Sequence, residues 1–128
     1  IAVRLAGAGD AGRYAELLEH TLSRGAILLV KLPRSAGHWL AVAQARVAGP
    51  IQIAVAQVRD SDGRMTRRAR EIAPGGAVIV AGQRDSQTLL QDRGPVDGHD
   101  AAYVCRGQVC GLPLTEPEAL TENVIRGR

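Results

Sequence analysis

Two short β-branched runs bracket a stretch of helical periodicity near the middle of the chain, and this order limits the fold more than any other feature. Ile51, Ile53, Val55 and Val58, with Ala54 and Ala56 between them, read as a strand covered on both faces. Ser61 or Asp62 can cap a helix reaching Ala73, with Met65, Ala69 and Ile72 as its apolar contacts. Pro74-Gly75-Gly76 then turns the chain into Ala77-Val-Ile-Val-Ala81, a second buried strand. Strand, helix, strand in this order predicts a right-handed parallel βαβ unit.

The helix of that unit is basic, with Arg64, Arg67, Arg68 and Arg70. On the outer side of a sheet-covering helix such charges form a solvated face, paired in part with Asp60, Asp62 and Glu71; a phosphate or anionic partner is the alternative. The segment Gly82-Gln-Arg-Asp-Ser86 follows the second strand at the carboxyl edge, where open α/β sheets often bind ligands. Arg84, Asp85 and Ser86 are therefore candidate polar site residues, with His38 of the helical segment as a fourth.

The tail carries both cysteines of the chain. Asp97-Gly98 is a turn signal and residues 101–105 read as a strand. Arg106-Gly107-Gln108-Val109 fits a two-residue hairpin with Gly107 at the first central position of a type II′ turn. Counting outward from that turn, Arg106 faces Val109 and Cys105 faces Cys110. Opposed residues stand about 4.5–5.5 Å apart at Cα, close enough for a disulfide. The pair can equally remain two reduced, buried thiols, the commoner state in a cytoplasmic protein. A thioredoxin-type centre is disfavoured, because its cysteines sit two residues apart at a helix N-terminus that activates the thiolate. Zinc is disfavoured too: a closed site needs about four ligands, and only His20, His38 and His99 could join the pair. Thr115-Glu-Pro-Glu118 has the form of a capping box for a last helix that returns Leu120, Val124 and Ile125 to the sheet.

Residues 1–49 are of another kind. Asp10 is a candidate N-cap for a helix with Tyr14, Leu17, Leu18 and Leu22 on one face; Gly25 interrupts the propensity, and Ile27, Leu28, Leu29 and Leu32 extend the stripe to Pro33. Ser35 is the expected cap of a second helix containing Trp39, Leu40, Val42 and Ala43, stopped at Gly49-Pro50. A hairpin apolar on more than one side normally sits between other helices. Gly7-Ala-Gly9-Asp-Ala-Gly12 matches the dinucleotide fingerprint in letters only. Asp10 would place negative charge beside the pyrophosphate, and residues 27–30 offer no acid for the ribose. No nucleotide cofactor is expected.

Composition narrows the partners. The core must be built from small aliphatic residues, since the 128-residue chain has no Phe, one Trp and two Tyr. The net charge of +3 is spread among thirteen acids rather than gathered into a tail, which argues against nucleic acid as a partner. No apolar run approaches the ~18–20 residues that cross a bilayer, and no basic leader precedes a hydrophobic segment, so the expected compartment is cytoplasmic. The expected fold is α/β: an N-terminal helical hairpin over residues 1–49, then a small α/β module over residues 50–128 with a βαβ unit, a C-terminal β-hairpin and a short helix.

Asp97-Gly98, Ala102-Tyr103-Val104-Cys105, Cys110, Pro113, Thr115 and Pro117-Glu118-Ala119-Leu120 together resemble the C-terminal signature of the YyaL-type thioredoxin-domain-containing proteins, whose animal relatives include spermatogenesis-associated protein 20. Gly9-Asp10, Tyr14, Pro33, Gly37-His38-Trp39-Leu40 and Gly49-Pro50 resemble the last barrel hairpin of the same family. The resemblance implies a parent architecture of a thioredoxin-like domain followed by an (α/α)6 barrel of the six-hairpin glycosidase type. Residues 1–49 would be the end of that barrel, here without its earlier helices and without the thioredoxin-like domain. Ala56-Gln57 departs from the family, where a glycine often closes the first strand.

Three functions follow as expectations. The first is a structural C-terminal segment of such a protein, a fragment without independent catalysis, whose partners are the missing barrel and thioredoxin-like domains or a second copy meeting it through exposed helices. A second is a contribution to carbohydrate chemistry in an assembled protein, with Glu16, Glu19, His20 and His38 the nearest acid/base candidates. The third is a thiol/disulfide switch through Cys105 and Cys110. No metal or organic cofactor is expected for any of them.

Overall fold

The computed structural model describes residues 8–49, 51–107 and 109–127. It divides into two units, Ile1–Gly49 and Pro50–Arg128.

The first unit is a helical hairpin of α1 (Ala8–Lys31) and α2 (Gly37–Ala48). Its turn is closed by backbone bonds from Leu32 to the Leu28 carbonyl at 2.8 Å and from Ser35 to that of Leu32 at 3.0 Å. Ser35 thus lies inside the turn. The cap of α2 is Ala36, with no side-chain hydrogen bond, so the expected Ser35 cap is not formed. Asp10 is not a cap either, because α1 already includes Ala8. Gly9 and Gly12 are helical, and the rest of the glycine-rich motif, Gly7 with the residues before it, lies outside the described residues.

Gly25 does not break α1. It lets the second helix approach: a Cβ built on Gly25 would stand 2.5 Å from Cε3 and Cζ3 of Trp39. The indole covers bare backbone, and Gly25 is buried beneath it. Arg46 Nε donates to Glu19 Oε1 at 2.6 Å and adds a polar tie between the helices. Both partners are more than half exposed, so this pair contributes about 1 kcal/mol at most.

The second unit is a four-stranded mixed sheet of order β2-β1-β3-β4. Its strands are β1 (Ile51–Ala56), β2 (Val78–Gly82), β3 (Ala101–Arg106) and β4 (Val109–Cys110). β1 pairs parallel with β2 and antiparallel with β3. The helix α3 (Arg64–Ile72) connects the parallel pair, as a parallel connection requires. All six residues of β1 are buried, since it is central and both faces are covered.

Alternation sorts the side chains into two cores. Ile51, Ile53, Val55, Ala102 and Val104 meet Met65 and Ala69 of α3 and Leu120 and Val124 of α4 (Pro117–Arg126). On the opposite face, Ala54, Ala56, Val78 and Val80 pack with Leu90 of a short 3-10 helix (Thr88–Leu90), with Leu89 and Tyr103 at the margin. A loop segment therefore does for the second face what two helices do for the first.

Two details of α4 differ from expectation. Its cap is Glu116, without a side-chain bond, so Thr115 and Glu118 do not make a capping box. The reason is upstream: Leu114 exchanges two backbone bonds with Ala102, at 2.8 and 2.9 Å, which holds the chain extended until Glu116. Pro117 does take the first helical position. Ile125, expected on the sheet, is 54% exposed, because only Leu120 and Val124 lie on the inward stripe. Among the described residues no helix is long and apolar enough to cross a membrane.

Candidate functional site

The β3–β4 hairpin has the register that its turn dictates: Arg106 opposes Val109 and Cys105 opposes Cys110. Gly107 takes φ 63, the sign that a primed two-residue turn needs at its first central position; Gln108 lies outside the described residues. Val104 accepts the Gly111 amide at 3.0 Å, which leaves the cysteines at the non-hydrogen-bonded position, where opposed residues come closest. Their Cα atoms are 3.9 Å apart and their sulfurs are bonded. The pair is a disulfide rather than two free thiols.

The two sulfurs have different surroundings. Cys105 is 3% exposed in the sheet, whereas Cys110 is half-buried on the edge strand. Arg93 Nη2 donates to Cys110 Sγ at 3.1 Å, and Nη1 of the same guanidinium donates to the Leu89 carbonyl at 2.7 Å. The fold builds this position. Leu90 is fully buried on the sheet, its carbonyl accepts the amides of Asp85 and Arg93 at 3.1 Å each, and Tyr103 Oη donates to the Gly94 carbonyl at 2.8 Å. A fixed cation thus abuts one sulfur only.

The structure groups Arg84, Asp85 and Ser86, but in a loop that closes on itself. Asp85, at φ 58, accepts the Asp92 amide at 2.9 Å and stands 3.5 Å from Arg84 Nε; Ser86 Oγ donates to the Gln83 carbonyl at 2.7 Å. All three are exposed and their polar groups serve the turn that carries Arg93. His38 lies exposed near the start of α2, in the other unit. Glu16 and His20 are exposed on α1, and Glu19 is engaged by Arg46.

A cleft that the sequence did not reveal lies beyond the carboxyl end of β1. It has a volume of about 440 Å³, and Asp60, Ser61, Asp62, His99, Asp100 and Glu116 are among its lining residues. Asp100 organises it. One carboxylate oxygen accepts the Val58 amide at 2.9 Å, the other accepts the Ser61 hydroxyl in a short bond, and Ser61 Oγ accepts the Gly63 amide at 3.1 Å. Asp62 accepts the Arg64 amide at 2.9 Å. Ser61 and Asp62 therefore satisfy amides at the head of α3, although the cap residue is Gly63. Neither Ser61 nor Asp100 is left free for other work.

A basic groove of about 380 Å³ runs between α3 and α4, lined by Arg64, Arg67, Arg68, Glu71, Pro117 and Glu118. Arg68 spans it, donating from Nε to Thr121 Oγ1 at 2.8 Å and from Nη1 to Glu71 at 3.1 Å. Among the described residues no group of three or more His, Cys, Asp or Glu side chains gathers to hold a metal ion. Comparison with family models, with curated proteins and with solved structures gives no match for this chain.

Proposed function

We propose that this chain is a structural segment of the YyaL type, in which a disulfide-closed α/β module follows, in sequence, a helical hairpin that packs against further helices. The supporting observation is the hairpin surface. Leu17, Ile27, Leu28, Val30, Leu32, Leu40 and Val47 are all exposed, Val30 at 83% and Val47 at 89%. Singly exposed aliphatics are ordinary; seven of them on one hairpin with 36 helical residues are the concentration that supports a covering partner. The second unit, which is larger, buries Ile53, Val55, Leu90, Leu120 and Val124 fully and exposes Val109, Leu112 and Ile125.

In this role the α/β module supplies position rather than reaction. Asp100 ties the loop after β1 to the head of β3, and Arg106 donates to the Asn123 carbonyl at 3.0 Å, tying β3 to the end of α4. The test is the binding of an environment-sensitive apolar dye by the intact chain and by a Leu17→Lys, Val30→Lys, Val47→Lys variant. Strong binding by the native chain that the variant loses is expected. Absence of dye binding by a folded native chain would overturn the reading.

A further inference from the structure

The Arg93 contact gives the two cysteines different chemistry, independently of what the hairpin packs against. We infer that Cys110 is a hydroperoxide-reactive thiol with Cys105 as its resolving partner, so that the pair is a latch that closes quickly and opens slowly.

With the disulfide formed, Cys110 is the less buried of the two cysteines, and a guanidinium held by the Leu89 carbonyl stands 3.1 Å from its sulfur; on reduction that guanidinium remains the nearest cation to Cys110. An adjacent fixed cation favours thiolate, the nucleophilic form. Cys105 has neither advantage: it is 3% exposed, paired across the strands with the buried Gln52, and the guanidinium makes its hydrogen bond to the other sulfur; burial away from water favours the neutral thiol. The Cys110 thiolate attacks one oxygen of a hydroperoxide, the O–O bond breaks, and Cys110 becomes a sulfenic acid while the other oxygen leaves as alkoxide or hydroxide and takes a proton from water. Cys105 sulfur, held directly opposite, then attacks Cys110 sulfur. The S–O bond breaks, hydroxide leaves with the Cys105 proton as water, and the disulfide forms. Two thiols lose two electrons and one hydroperoxide gains them.

The reverse direction is obstructed at both sulfurs. A reducing thiolate that reaches Cys110 must expel Cys105 as a thiolate at a buried position that lacks the guanidinium contact, a poorer leaving group. Expelling the Arg93-stabilised Cys110 instead requires attack on Cys105, which is buried. A catalytic dithiol needs both directions to be fast. This pair is suited to recording an oxidation.

The test uses the intact chain, reduced, with hydrogen peroxide as oxidant, dimedone as sulfenic-acid trap and mass spectrometry as readout. The Cys105→Ser variant should accumulate a dimedone adduct at Cys110, and Cys110→Ser should label Cys105 at least about ten-fold more slowly. In the Cys105→Ser background, Arg93→Ala should slow labelling about ten-fold and Arg93→Lys, which keeps the charge, by less. Circular dichroism of each variant identifies any that fails to fold, and Arg93→Lys then carries the comparison against Arg93→Met. Labelling of Cys105 at an equal or greater rate, or a labelling rate at Cys110 unaffected by loss of the Arg93 charge, would overturn the assignment.

Discussion

The indole of Trp39 lies against the backbone of Gly25, and this contact sets how closely α1 and α2 approach. A Gly25→Val substitution would drive two methyl groups into a rigid ring. Overpacking of this kind costs about 1–3 kcal/mol. Trp39 is the only tryptophan, so its emission reports on the hairpin alone. A shift to longer wavelength, with the α/β module unchanged by hydrogen exchange, is the expected outcome.

Asp100→Ala removes the acceptor for the Val58 amide and the Ser61 hydroxyl together. Leaving part-buried donors unmatched costs about 1–3 kcal/mol. Asp100→Asn keeps one acceptor oxygen and should lose less. Chemical denaturation gives the ranking, and faster amide exchange at Val58 in the alanine variant locates the loss.

Leu120 is fully buried on the helix-covered face of the sheet, while Ile125 on the same helix is largely exposed. Leu120→Ala should destabilise the second unit by about 2–5 kcal/mol, and Ile125→Ala should fall within about 0.5 kcal/mol of the native chain. Equal losses at the two positions would place the wrong stripe of α4 on the sheet.

Reduction of Cys105–Cys110 removes a cross-link over a sequence separation of 5. For so short a loop the chain-entropy contribution is about 2 kcal/mol. Thermal unfolding of the reduced chain should therefore begin at lower temperature but remain cooperative. A reduced chain that does not fold at all would mean that the bond, rather than the two apolar cores, holds the module.

The features legible in the sequence are those set by local counting. The parallel pair follows from two β-branched runs separated by a helix, and the opposition of Cys105 and Cys110 follows from a two-residue turn at Gly107. Caps were legible only in part. Ser35 and Thr115 are good capping residues, but Ser35 is drawn into the turn by its bond to the Leu32 carbonyl, and the Leu114–Ala102 bridge next to Thr115 keeps the chain extended to Glu116. Arg93 and Asp100 were not legible, because their partners Cys110 and Ser61 are 17 and 39 residues away in the chain. Only the folded path of the loop after β2, pinned by Leu90, brings Arg93 to the sulfur.

The central claim, that the hairpin is made to pack against other helices, is tested most directly by titrating this chain into a YyaL-type protein that lacks its own last barrel hairpin and following heat release. The account predicts saturable binding that is abolished by Val30→Lys together with Val47→Lys, two positions 83% and 89% exposed in the free chain. No binding by the folded native chain, or binding of the same strength by the lysine variant, would contradict it.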